Sequence, residues 1–124
     1  MNKKIKPYYF IVPLVVYPFD VLVSIGQSDD ELKEVLLKHE IKWEKIIKLD
    51  GTGRYILLKG NQSIIRTKNI VSTCEDYGIL QHEIFHCVTY ILDRIGMKFN
   101  LHESDEAYSY LIQYLTEKIY ENLK

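Results

Sequence analysis

The sequence predicts a single α+β domain spanning residues 1–124, with a small antiparallel or mixed sheet packed on a motif-bearing helix and a C-terminal helix, plus one additional helix. Three observations predict it. Runs rich in β-branched and aromatic residues fill 8–25 and 54–67. Apolar residues recur at helical spacing over 75–95 and again over 105–122. The strand-type runs precede these two helical segments, the order of an α+β chain. At 124 residues such a domain buries a working core without disulfides or a structural metal, so a bound metal would serve function rather than folding.

The elements follow in chain order. Residues 8–17 and 19–25 suit one or two strands, with Pro13 and Pro18 marking bends or an edge position and Gly26 ending the run. Residues 1–6 are basic and 8–19 apolar, which imitates a secretory leader. Pro7, Pro13 and Pro18 interrupt that stretch, no Ala-x-Ala site follows, and it is too short to span a bilayer. It is therefore expected to belong to the fold of a cytoplasmic protein with no membrane association. Ser28 is placed to cap a helix over 29–40 with Leu32, Val35, Leu36 and Leu37 inward and acids in its first turn. After the Asp50-Gly51 turn, 54–59 and 63–67 flank Gly60-Asn61-Gln62, the pattern of a hairpin. The helix over 75–95 ends at Gly96, and the last helix, capped by Ser104, turns Ala107, Leu111, Tyr114, Leu115 and Ile119 inward.

Charge and cysteine content narrow the function classes. A net charge of −1 gives no reason to expect nucleic acid as a partner. Cys74 and Cys87 are too few for a disulfide framework or a thiolate metal site, so both thiols are expected free, without a role.

The chemistry lies on the helix over 75–95. At 100° per residue, Leu80, Ile84, Val88, Ile91 and Ile95 form one stripe, and His82 and His86 lie nearly opposite it with Thr89 and Asp93. Two imidazoles one helical turn apart can bind one zinc ion, and the intervening Glu83 is placed to take a proton from the water that zinc activates. The competing reading is a pair of ordinary helix-surface histidines. A catalytic zinc commonly has three protein ligands, and His102, Glu103, Asp105 and Glu106 all stand on the following segment as candidates. One or two of those acids instead complement the dipole of the last helix. Asp93 could fix an imidazole tautomer, whereas His39 stands far from the motif as a surface residue.

His82-Glu83-Ile84-Phe85-His86 followed by Glu106-Ala107 resembles the gluzincin branch of the zincin metallopeptidases, and in particular compact zincin domains encoded by phages and prophages. The resemblance covers about residues 54–114, and the metzincin extension is absent, because Leu92 stands where its histidine would be. It implies a minimal zincin-like fold, zinc held by His82, His86 and Glu106, and Glu83 as general base in the hydrolysis of a peptide or protein substrate. It also implies a tyrosine that stabilises the oxyanion, for which Tyr110, one turn after Glu106, is the first candidate; Tyr108 and Tyr114 follow. The 54–67 hairpin is expected to hold the substrate by backbone pairing. The alternative is a zincin scaffold kept as a binding or structural protein, such as a phage component, with little or no turnover.

Overall fold

A computed structural model describes residues 4–124. The fold is α+β: a four-stranded mixed sheet, one helix on one face and two on the other. The strands are β1 (Tyr8–Pro13), β2 (Asp20–Ile25), β3 (Gly53–Leu57) and β4 (Gln62–Thr67), and the helices are α1 (Asp29–Lys38), α2 (Cys74–Arg94) and α3 (Asp105–Glu121). Spatial order in the sheet is β1-β2-β4-β3. β1 and β2 are antiparallel, as are β3 and β4, while β2 and β4 run parallel with Val23 opposite Ile65. Parallel neighbours need a crossover, and α1, a short 3-10 turn at Lys45–Ile47 and β3 lie within it.

The central strands explain the layering. In β2 every residue after Asp20 is buried, and in β4 every residue after Gln62, which is the pattern of strands covered on both faces. Val21, Val23, Ile25 and Ile65 meet α2 and α3. Leu22, Ile56 and Ile64, one residue out of phase, meet Leu32, Val35, Leu36 and Ile47 on the α1 side. β1 and β3 form the edges, so among the described residues no further strand pairs with the outer side of β3.

Local chemistry sets the helix ends. Ser28 caps α1 through a reciprocal pair with Glu31, and Thr73 caps α2 through the same device with Asp76. Gly96, at φ 84°, ends α2 as expected, since a left-handed residue there is cheapest for glycine. Three expectations fail in detail. Leu37 points to solvent, because three inward residues already fill the short face of α1. Ile95 falls just past the end of α2 and is half exposed. Ser104 precedes α3 but does not cap it: its hydroxyl accepts from the Asn100 N–H at 2.7 Å and donates to the Lys98 carbonyl at 2.6 Å, closing the loop before the helix.

One buried ion pair ties the α1 face together. Arg66, 1% exposed, donates from one terminal nitrogen to Asp29 at 2.6 Å and to the Ile47 carbonyl at 2.8 Å, and from the other to the Gln27 carbonyl at 3.0 Å. A strand, a helix start and the 3-10 turn share one guanidinium, the side chain best shaped for several fixed acceptors.

Candidate metal centre

α2 places the motif. Ile84, fully buried, fixes the rotation of the helix, and the residues around it then point in set directions. His82 and His86 emerge on the solvent side, and Glu83 turns toward β3 and is 7% exposed. The two imidazoles converge: their Nε2 atoms lie 3.1 Å apart, with the rings near perpendicular at 76°. At that distance one ring nitrogen can donate to the other, the roles being set by the tautomers.

The separation also suits shared coordination. Two nitrogens each about 2.0–2.1 Å from one zinc in tetrahedral geometry stand about 3.3 Å apart, so the pair needs little movement to hold an ion. These two donor atoms are spaced for one zinc ion, and among the described residues no third donor joins them.

Glu83 sits in a close seat. Gly53 opens β3 directly against it, and a Cβ on Gly53 would fall 3.0 Å from the Glu83 Oε2 and 2.8 Å from the Ile79 Cγ2. Only a residue without a side chain allows strand and helix to approach so closely. Burial raises the Glu83 carboxyl above its usual range, against the opposing pull of His82, His86 and Arg54. A carboxylate held this way is a better proton acceptor than a free one.

A groove of about 460 Å³ runs between α2 and the edge strand, with His82, Glu83 and His86 on one wall and Gly53, Arg54, Tyr55, Ile56 and Leu57 on the other. Two further hollows share residues with it: one beside His82 is lined by Asp50, Thr52 and Glu75, and one beside Tyr90 by Asp93 and Phe99. Arg54 is held along it by donating to the Ile46 carbonyl at 2.7 Å. Tyr90 packs edge-on against both His86 and Tyr55, with ring centroids 6.2 and 5.5 Å apart. Gly53 and Tyr90 thus line the candidate site though the sequence reading omits them, and Arg54 enters that reading only as the start of the hairpin. Tyr90 carried a signal, since it stands one turn beyond His86; Gly53 carried none beyond its place in a turn.

The other expected residues lie elsewhere. Among the described residues no group of three or more His, Cys, Asp or Glu side chains is arranged to hold a metal, so Glu106 does not join the histidine pair. It is exposed and lines a different cleft, against residues 14–17, together with Tyr110. The reason is rotational: Tyr108, Leu111, Leu115 and Ile119 are the buried residues of α3, which leaves Glu106 and Tyr110 facing away from the core. His102 and Glu103 are exposed in the loop before α3, and Asp105 is partly buried at its start. Tyr108 donates to the Met97 carbonyl at 2.7 Å and Tyr114 to the Pro13 carbonyl at 3.0 Å, so both hydroxyls are committed to the fold. Asp93 lines the hollow beside Tyr90 without a hydrogen bond to either imidazole.

The cysteines are free. Cys87 is buried beneath the site, where burial pushes its thiol up to about 12 and leaves it unreactive. His39 meets only Tyr9, at 3.4 Å on the surface. Comparison with protein-family models, curated proteins and solved structures finds no match. No helix among the described residues is long and apolar enough to cross a membrane.

Proposed function

We propose that the chain is a zinc-dependent hydrolase of peptide bonds, with the ion held by His82 and His86 and Glu83 as general base. The observation that carries this reading is the 3.1 Å convergence of the two Nε2 atoms beside a buried carboxylate on an edge-strand groove. Zinc bound there would polarise a carbonyl and lower the pKa of water to about 7. Glu83 then takes the proton of the attacking water and returns it to the leaving amine, while Arg54 offers a charge on the opposite wall. The outer edge of β3 gives an extended peptide a backbone to pair with beside Glu83. The His82-Glu83-His86 part of the gluzincin resemblance agrees with this chemistry, whereas the position of Glu106 does not.

Glu106 and Tyr110 have no part in it where α3 now places them. Asp50 and Glu75 line the hollow beside His82; since among the described residues no carboxylate completes the pair in this conformation, a third ligand would have to move toward it. Measured zinc should approach one per chain, vanish in His82→Ala and His86→Ala, and persist in Glu83→Gln with loss of peptide cleavage. Cleavage by Glu83→Gln at the wild-type rate would overturn the mechanism. Zinc affinity in Asp50→Asn, Glu75→Gln and Glu106→Gln identifies the third ligand, a fall beyond the about 10–100-fold that loss of an outer-shell partner costs marking it. The placement of Glu106 away from the histidines favours one second reading, a scaffold of this kind that binds metal and partner without turnover. Zinc at one per chain with no chelator-sensitive cleavage of a peptide library would establish it.

A further inference from the structure

On the side of α3 away from the histidines lies a cleft of about 720 Å³ between that helix and residues 14–17, which join β1 to β2. Its walls are apolar: Leu14, Val15 and Val16 face Ala107, Tyr110 and Leu111. Val15 and Val16 are 84% and 82% exposed and Tyr110 is 67% exposed, in a chain that otherwise buries its valines. Scattered exposed apolar residues are normal, but a contiguous concave set marks a contact surface.

The cleft is built in advance. Pro13 and Pro18 flank the loop, Leu14 donates its N–H to the Phe19 carbonyl at 2.9 Å, and the Tyr114 hydroxyl pins Pro13 at 3.0 Å. These contacts close the loop with both valines facing outward.

Charge says what fits. The charged side chains lining the cleft are both acids, Glu106 and Glu117, eleven residues apart on one helix and so about 16 Å apart along its axis. Lys118, the nearest cation on α3, is engaged with Glu121 at 3.6 Å and lies over the Tyr114 ring. A second copy docked about a two-fold axis would set these glutamates against their own images, which disfavours self-association here. We infer that this cleft receives an amphipathic helix of a partner protein, its apolar stripe against Val15, Val16 and Tyr110 and two lysines or arginines about three turns apart against Glu106 and Glu117. The inference is independent of zinc and of peptide cleavage.

The test uses the full chain and two helical peptides of about 18 residues. Both carry a leucine stripe; one has lysines eleven positions apart and the other glutamates there. Fluorescence anisotropy should show the lysine peptide binding about tenfold or more tighter at low salt, with the gap shrinking as salt rises. Val16→Asp should abolish binding. The exposed double change Glu106→Lys with Glu117→Lys should reverse the preference, an outcome that misfolding cannot mimic. Equal affinity for both peptides, no binding of either, or a concentration-dependent dimer of the chain that Val16→Asp makes monomeric would each overturn the proposal.

Discussion

Gly53 meets α2 where Ile79 and Glu83 leave the helix, and it is the residue on which the site geometry turns. A methyl group there would lie 2.8 Å from the Ile79 Cγ2 and 3.0 Å from Oε2 of Glu83, so Gly53→Ala must push strand and helix apart. We expect it to cost about 1–3 kcal/mol in chemical denaturation, the usual range for overpacking. Adding Ile79→Ala should recover part of that loss; a strictly additive double variant would show that the two do not touch. The contrast with the motif shows what the sequence discloses at this scale. His82, Glu83 and His86 are legible because four residues make one turn of any helix, so their relation is local. The seat under Glu83 is not, because it depends on how closely a strand and a helix twenty residues later approach. Glu106 is a further case: its spacing from the motif suggests a ligand, but its direction depends on the rotation of α3, which Leu111, Leu115 and Ile119 decide by packing.

Elements are held at their ends, and two changes test how. Thr73→Ala removes half of the reciprocal cap on α2 and should cost about 1 kcal/mol, with hydrogen exchange rising in the first turn and not at His82, two turns further in. Around α1 the control is Arg66. Burial alone would raise the Asp29 carboxyl, but the Arg66 hydrogen bond, the Leu49 N–H at 3.2 Å and the charges of Arg66 and Lys48 outweigh it and hold the carboxyl below its ordinary value of 3.8. A lowered native value means the stabilisation is fully present above pH 3.8 and is lost as pH falls through the native value. Asp29→Asn should therefore cost about 1–3 kcal/mol near neutrality, less than a fully buried pair because Asp29 keeps some water contact. In acid titrations followed by circular dichroism, the gap between variant and wild type should close below pH 3.8; a gap that stayed constant would mean that the carboxylate charge is not what matters. Most elements were readable from periodicity and turn residues, including the β3–β4 hairpin, with Gly60 and Asn61 both at positive φ. The parallel pairing of β2 with β4 was not, since it joins strands separated by a crossover and no local pattern encodes it. Nor was a buried arginine in a strand, because its acceptors come from two other segments, the start of α1 and the 3-10 turn.

At the scale of the whole molecule, the core does not depend on the candidate metal site. Two apolar clusters fill the two sides of the sheet without using His82, Glu83 or His86. The core thus needs no ion to be complete, unlike domains that fold only around their metal. A chelator is accordingly expected to leave the far-ultraviolet circular dichroism unchanged. Added zinc should still stabilise, because an ion that binds only the native state shifts the equilibrium by mass action: at a hundred times its dissociation constant the gain is about 2.7 kcal/mol. For a domain of 124 residues that is a rise in Tm of roughly 8–12 °C. The rise should disappear in His82→Ala and His86→Ala and remain in Glu83→Gln. Glu83→Gln should also melt a few degrees above wild type when both are metal-free, since burying a neutral amide beside Gly53 avoids the desolvation that raises the carboxyl there. If zinc stabilised His82→Ala as much as wild type, the ion would bind elsewhere and the histidine pair would be a surface hydrogen bond; if chelator unfolded the wild type, the metal would be a folding element and the groove would not be an open site.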